Sequence, residues 1–183
     1  MRDILKLTLE LTLIAAISAG LLAFVSTRTK PARDRAAEAK RLDAVRKVLH
    51  IADGETFRYD ESRKVYLVEK NGQVARAAAE SVSTHGYGGP VKIVVAADSS
   101  GTIIDFAVVE ASETPGLGAK IAGEGFIVGL RGKTFDSDWR VRRDGGEIDA
   151  VTSATISSRA ACEAISSAIP RLRAAIGAED TRR

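Results

Sequence analysis

The chain opens on a long apolar run and continues as a region of mixed polarity. Residues 4–25 read ILKLTLELTLIAAISAGLLAFV. As a helix rising about 1.5 Å per residue, this run is about 33 Å long, which is enough to cross the hydrocarbon core of a bilayer. The apolar part of a cleaved signal peptide is only about 7–15 residues long. We therefore expect one transmembrane helix.

Two charged residues, Lys6 and Glu10, interrupt the apolar run. A carboxylate exposed to lipid is costly, so Glu10 needs a partner or a route to the interface. The spacing of four residues allows an ion pair with Lys6 on one helix face. A facing helix of another subunit, or snorkelling of the side chain towards the headgroups, would also satisfy the charge.

The segments after the apolar run predict a polar connector and then an amphipathic helix. Residues 27–31 form a short polar segment. Residues 34–51, as a helix, would carry an apolar stripe on one face. The stripe is formed by Leu42, Val45, Val48 and Leu49.

Strand signals occupy the middle of the chain. The predicted strands are Val65–Glu69, Val74–Ala77, Pro90–Ala97 and Thr102–Glu110. Asn71-Gly72 and the polar segment 98–101 supply turns between consecutive strands. This pattern predicts the centre of an antiparallel sheet.

Glycine is frequent in Ser112–Lys133, which indicates loops flanking a short helix. Two further short strands are predicted at Trp139–Val141 and Ile148–Val151, with a turn at residues 144–146. Apolar periodicity predicts a last helix over Thr155–Ile176, which Pro170 should kink or break.

Strands in the middle with helices at the edges predict an α+β fold. The sequence thus divides into an anchor with its connector (1–30), one domain (31–177) and a C-terminal tail (178–183).

Composition narrows the possible functions. The net charge is only +3 and aromatic residues are few, so a nucleic-acid-binding surface is not indicated. A single cysteine, Cys162, excludes an intramolecular disulfide, and its helical context predicts a buried thiol. Two histidines, at positions 50 and 85, do not indicate a metal centre.

Hydroxyl residues are concentrated where the last strand meets the last helix. Residues 149–155 read D-A-V-T-S-A-T. The free N–H groups and the dipole of a helix N-terminus make an anion site there, which suits a phosphate. Ordinary helix capping by Ser and Thr explains the same composition.

A second candidate segment follows the strand Thr102–Glu110. Residues 113–118 read E-T-P-G-L-G, in which Pro fixes a turn and Gly116 and Gly118 let backbone approach a ligand closely. On residue chemistry alone, an ordinary glycine-rich loop is an equally valid interpretation.

Together, E-T-P-G-L-G and D-x-x-T-S-A-T resemble the covalent-FMN-binding domain family. The chain length, the single N-terminal helix and the order of the motifs look like the G subunits of Rnf electron transport complexes. The C subunits of sodium-translocating NADH:quinone reductases share the motifs but are normally longer. The resemblance covers the chain from the anchor to Ile176.

The resemblance implies a covalent FMN on Thr155, the last threonine of D-x-x-[ST]-[GS]-A-[ST], attached by a flavin transferase that uses FAD. Asp149 would be recognised by the transferase, whereas Thr152, Ser153 and Ala154 would shape the turn. Family members usually carry glycine where this chain has Ser153.

The second motif is implied to lie beside the flavin ring. The residues concerned are Glu113, Thr114, Gly116, Leu117, Gly118 and, as a nearby positive charge, Lys120. The loop containing His85 and Tyr87 is also used near this site in the family.

By the same resemblance, the chain would be an electron-relay subunit without a substrate site of its own. Its partners would be the other membrane and iron–sulfur subunits of a complex that couples ferredoxin/NAD oxidoreduction to sodium or proton translocation. Alternatives are a stand-alone membrane-tethered FMN-binding or assembly protein, or the C subunit of the quinone reductase.

Topology is the one point on which charge and resemblance disagree. The cations that follow the apolar run outnumber those before it, and the positive-inside rule alone would place the large domain in the cytoplasm. The resemblance implies a cytoplasmic N-terminus in the inner membrane and an FMN domain on the extracytoplasmic side.

Overall fold

Three α-helices, two 3₁₀ helices and five strands make up the part of the chain that the computed structural model describes, residues 2–111 and 118–177. The helices are α1 (Arg2–Leu49), α2 (Glu124–Leu130) and α3 (Thr155–Ile176), with 3₁₀ helices η1 (Gly118–Ala122) and η2 (Arg142–Asp144). The strands are β1 (Thr56–Asp60), β2 (Val65–Lys70), β3 (Gln73–Ser83), β4 (Val91–Asp98) and β5 (Ile103–Ala111). The chain forms two units, Met1–Lys40 and Arg41–Arg183.

The first unit is the helical segment with the apolar run. Its most apolar stretch has a mean hydropathy of 2.0 and is long enough to cross a membrane by length and composition. The side chains of this run are exposed, including Leu9 (71%) and Leu22 (72%), as expected of lipid-facing positions. The Nζ of Lys6 lies 4.0 Å from an Oε of Glu10, so the i, i+4 pair forms.

The prediction of a separate connector at residues 27–31 is wrong, because these residues belong to α1. Their hydroxyls bond within the helix: Thr27 Oγ1 donates to the Ala23 carbonyl (2.8 Å) and Thr29 Oγ1 to the Val25 carbonyl (2.9 Å). Pro31 lacks an N–H and leaves only one helical bond unmade. Polar composition here therefore does not end the helix.

The second unit is built on an antiparallel sheet in the order β1-β2-β3-β4-β5. Each strand pairs with its neighbour in sequence. Register pairs such as Leu67↔Ala77 and Ala79↔Val95 align small and larger apolar residues across the sheet. The predicted antiparallel centre is confirmed.

Both faces of the sheet are covered. One set of alternating residues, including Val65, Ile93 and Val95, packs with α2, α3 and η1 in a buried cluster. The opposite set, including Tyr66 and Val94, packs against the last turns of α1. Burial on both sides explains why β2 and β4 are almost continuously apolar.

Several predicted elements change their bounds. β1 was not predicted: its sequence TFRYD alternates polar and aromatic residues, but the strand is only five residues long and lies at the sheet edge. β3 extends to Ser83, beyond the predicted Ala77, because alanines packed between two strands stay extended despite their low strand propensity. A short helix does occur within residues 118–133, as predicted.

The predicted strands Trp139–Val141 and Ile148–Val151 do not form. Their side chains fill the core, but their backbones meet at a single parallel bridge, Val141↔Ile148. The 3₁₀ helix η2 and the left-handed Gly145 occupy the connection and leave no room for a longer ladder.

Helix α3 has the predicted bounds, Thr155–Ile176. Pro170 lies inside it without ending it. Its buried side includes Ala161, Ile165 and Leu172, and Cys162 is buried as predicted. Burial raises the pKa of the Cys162 thiol to about 12, so at neutral pH it is a protonated packing residue.

A matched pair of glycines tests the turn geometry of the sheet. Gly101 and Gly72 both have positive φ (+83° and +77°), but a Cβ on Gly101 would lie 3.0 Å from the Phe135 ring whereas one on Gly72 would meet nothing within 4 Å. We expect both Ala variants to lose about 1–2 kcal/mol from backbone strain. Gly101→Ala should lose about 1 kcal/mol more, because the ring must move. Denaturant unfolding of the detergent-solubilised chain measures the difference, and equal losses would contradict the contact.

Candidate functional site

The position of Thr155 is set by how α3 lies along β3. Near the middle of the helix, the Glu163 carboxylate accepts a hydrogen bond from Ser83 Oγ (2.7 Å), at the end of β3. Two turns later, the Arg171 guanidinium donates to the carbonyl of Glu80, three residues back along that strand. Thr155 is eight residues before Glu163, which is about 12 Å of helix. It therefore lies towards the end of the sheet where β3 finishes.

The same end of the sheet releases both candidate loops. Ser83 pairs with Val91, and Val91 pairs with Ala111, the last residue of β5. The loop of residues 84–90 and the segment that follows Ala111 must both start here, because the strands are antiparallel. The fold thus brings the end of β5, which the second motif follows in the sequence, to the end of the sheet that Thr155 approaches.

Most of the second motif lies outside the described residues. This applies to Glu113, Thr114, Gly116 and Leu117. Gly118 begins η1, in which Lys120 is exposed. Ile121 of η1 is fully buried in the cluster shared with α3. The return from the motif is therefore packed on the helix that carries Thr155.

The N-terminus of α3 is open. Its N-cap residue is Ala154, which provides no side-chain cap. The first helical bond is from Ser158 N to the Ala154 carbonyl (2.9 Å), so the N–H groups of Thr155, Ile156 and Ser157 precede it. Within the described part of the chain, the half-buried Thr155 hydroxyl has no hydrogen-bond partner. A capping role for this threonine is therefore not what the structure shows.

A buried serine holds the turn before the helix. Ser158 is fully buried; its hydroxyl accepts from Val151 N (3.0 Å) and donates to the Ala154 carbonyl (2.9 Å). A further backbone bond, Ala154 N to the Val151 carbonyl (2.9 Å), closes the turn. Sequence reasoning did not assign this role to Ser158. The signal available was a serine in the first turn of the predicted last helix, three residues after Thr155.

Ser153, within this turn, has a left-handed backbone with φ +67°. L-residues other than glycine pay about 1–2 kcal/mol for this conformation. Glycine at this position removes the strain, which gives a physical reason for the glycine that the motif usually carries. Thr152 and Ser153 are exposed, and Ala154 is buried.

Two ion pairs flank the turn. Asp149 is exposed, and its Oδ1 lies 2.6 Å from Arg142 Nε. Arg159, one turn into α3, donates twice to Asp144, at 2.5 and 2.6 Å. That hydrogen-bonded pairing lowers the pKa of the Asp144 carboxyl and ties η2 to the helix.

The described residues fit a phosphate ester at Thr155. Free N–H groups at the start of a 22-residue helix attract an anion. A small buried Ala154 and a hydroxyl without a partner leave that position open to an added group. Within the described residues there is no group of acidic, histidine or cysteine side chains suited to a metal.

Known proteins share the sequence pattern of this chain. The FMN-binding domain family matches residues 86–170. The G subunit of the ion-translocating oxidoreductase complex of Photorhabdus laumondii is 33% identical over 176 residues, covering 86% of this chain and 84% of that protein. The corresponding G subunit of Vibrio vulnificus is 40% identical over 112 residues, and this match spans about half of it (53%) and 58% of this chain.

The fold is also found among solved structures. The crystal structure of the C subunit of Na(+)-translocating NADH-quinone reductase from Parabacteroides distasonis matches with a TM-score of 0.51 and 21% identity over 64% of this chain and 63% of that one. This likeness concerns the fold alone. Given the Photorhabdus match over most of both chains, the chain belongs to the family of ion-translocating oxidoreductase complex G subunits and contains an FMN-binding domain.

Proposed function

We propose that this chain carries FMN as a phosphoester on Thr155 and relays electrons within a membrane-bound, Rnf-type ion-translocating oxidoreductase complex. The observation that carries the proposal is the uncapped N-terminus of α3, whose first residue is a threonine with an unbonded hydroxyl among the described residues. An N-capping threonine would instead use its oxygen to bond the helix N–H groups.

The residues of the turn would form, stabilise or expose the phosphoester. The Thr155 hydroxyl oxygen forms the ester bond to phosphorus. The remaining phosphate charge lies at the positive end of the α3 dipole, which stabilises it. Ser158 fixes the turn from beneath, and the exposed Asp149 is accessible to a flavin transferase.

When bound, FMN supplies one- and two-electron redox chemistry, and the protein supplies its position and electrostatics. The residues 113, 114 and 116–118 are proposed to line the ring, and Lys120 adds a positive charge near it. In the complex, the other membrane and iron–sulfur subunits would donate and accept the electrons, coupled to sodium or proton translocation.

The N-terminal helix anchors the chain to the membrane. We place the N-terminus in the cytoplasm and the FMN domain on the extracytoplasmic side of the inner membrane. Assembly with neighbouring subunits would overcome the opposing bias of the cations that follow the apolar run.

The attachment site is tested by replacing the threonine. We expect wild-type protein matured with its transferase to gain the mass of one FMN less one water, and Thr155→Ala to gain none because it lacks the oxygen. Thr155→Ser should retain the addition. Intact-mass measurement and in-gel flavin fluorescence of denatured protein provide the readout. Ser166→Ala, which removes an exposed hydroxyl further along α3 and outside both motifs, is the matched control; flavin retained in Thr155→Ala would refute the assignment.

The strained Ser153 gives a second prediction. Ser153→Gly should load FMN as wild type does and increase the free energy of unfolding by about 0.5–1 kcal/mol, which is the relief of left-handed strain less the added entropy of the unfolded chain. Ser153→Val should lower both stability and loading, because a β-branched residue resists this conformation. Denaturant unfolding and intact mass measure the two effects. A Val variant as stable as wild type would contradict the strain.

Complex membership is tested in native membranes. We expect affinity purification of the mildly solubilised chain to recover iron–sulfur and integral membrane subunits of a ferredoxin-linked oxidoreductase. Recovery of quinone-reductase subunits would instead favour the quinone-reductase alternative. An FMN-loaded chain purified without partners would identify a stand-alone tethered flavoprotein. A variant lacking residues 4–25 is the control for membrane-dependent assembly.

A further inference from the structure

We propose that Glu163 is a positioning residue for the flavin: through Ser83 and His85 it fixes the loop of residues 84–90 against α3, at the end of the sheet that Thr155 approaches. This inference rests on the proposed attachment of FMN to Thr155. It concerns Glu163 and Ser83, which neither candidate motif contains.

Three elements meet at the Glu163 carboxylate. Ser83 Oγ, at the end of β3, donates to it at 2.7 Å, and Nδ1 of His85, in the loop, lies 2.8 Å from one carboxylate oxygen and 3.0 Å from the other. The backbone N–H of His85 donates to Ser83 Oγ (3.2 Å). These bonds close a small ring that joins strand, loop and helix.

The energetics favour a defined contact. Ser83 is only 2% exposed, so its hydroxyl needs an internal partner. The hydrogen bond from Ser83, followed by that from His85, lowers the pKa of the Glu163 carboxyl, which is therefore ionised at neutral pH. Hydrogen bonds to an ionised group are stronger than those between neutral groups.

Glycine is frequent in the loop that follows His85. Between His85 and the start of β4 the chain reads G-Y-G-G-P. Three of these five residues are glycines, which carry no side chain to pack and leave a large backbone freedom. The His85 contact with Glu163 therefore limits where the first half of the loop can lie.

The contact between Glu163 and His85 lies near the proposed flavin attachment site. Glu163 lies about 12 Å along α3 from Thr155, and the loop borders the strand end from which the second motif departs. A phosphate held at Thr155 fixes one end of the flavin. The orientation of the ring then depends on the surfaces at this end of the sheet, of which the loop is one.

The experiment compares Glu163→Ala, His85→Ala and the double variant in the full-length, FMN-loaded chain. Ser166→Ala, an exposed position three residues further along α3, is the matched control. Intact mass reports loading, and iodide quenching reports the solvent exposure of the flavin. Hydrogen exchange of the residue-85 amide, which donates to Ser83 Oγ, reports the opening of the start of the loop.

We expect normal loading in all variants, because Thr155 and its turn are unchanged. Exchange of the residue-85 amide should rise about tenfold in either single variant, as expected from the loss of one charge-assisted hydrogen bond that holds the start of the loop. Iodide quenching should increase in parallel. The double variant should resemble Glu163→Ala, because the contact between His85 and Glu163 is already absent there. Glu163→Gln retains an acceptor for Ser83. Its exchange and quenching should therefore lie between those of wild type and Glu163→Ala.

The outcomes separate this inference from the function on which it rests. A wild-type chain without the FMN mass would overturn the proposed function, and the positioning role with it. If wild type is loaded but Glu163→Ala and His85→Ala match Ser166→Ala in exchange and quenching, the positioning role alone is wrong. Faster exchange with unchanged quenching would also overturn the positioning role. In that case the contact would hold the loop in place without orienting the flavin ring. Should Glu163→Ala fail to fold, His85→Ala and Glu163→Gln decide the question.

Discussion

The packing of α3 along the central strands is the constraint on which the site depends. Small residues on the buried side of the helix, among them Ala161, Ala164 and Ala168, let it lie close to the sheet. Its direction along β3 then carries the helix N-terminus towards the end where the loops leave the sheet. An anion site at a helix N-terminus is common; its use depends on what else lies at that end.

Two locally unfavourable backbone features lie at the N-terminus of α3. Ser153 has a left-handed backbone, and Ala154 leaves the N-terminus of a long helix uncapped. Both features reduce stability, and they persist because Ser158 and the flanking ion pairs hold the turn in place. A turn selected for stability alone would carry Gly at the first position and Ser or Asp at the second.

Much of the fold could be predicted from the sequence, because its strongest signals are local. The bounds of α3 followed from 3.6-residue periodicity beginning at a run of hydroxyls, and the sheet centre from β-branched runs separated by turn residues. The alanines of β3 were missed because strand pairing, not their own propensity, keeps them extended. At residues 139–151 the side chains are apolar because they pack in the core. The prediction of strands there was wrong because an apolar pattern of this kind does not require strand pairing.

The candidate site was only partly predictable, for a related reason. The hydroxyl-rich turn is contiguous, so its residues could be named in advance, including Thr155. The contact of Glu163 with His85 joins residues 78 positions apart and has no sequence periodicity to reveal it. Supporting residues of this kind become visible only when the topology shows which elements share an end of the sheet.

A covalent tether changes what such supporting residues have to do. A bound cofactor must be held by contacts that balance its loss of freedom, whereas a tethered one remains at high effective concentration without them. The surfaces around Thr155 would then need only to orient the ring. A glycine-rich loop fixed at one point by a carboxylate is suited to orientation, because it can approach the ring closely yet contributes little binding area of its own. On this argument, changes at Glu163 or His85 should alter how the flavin is exposed and leave its presence unchanged, whereas a change at Thr155 should remove it.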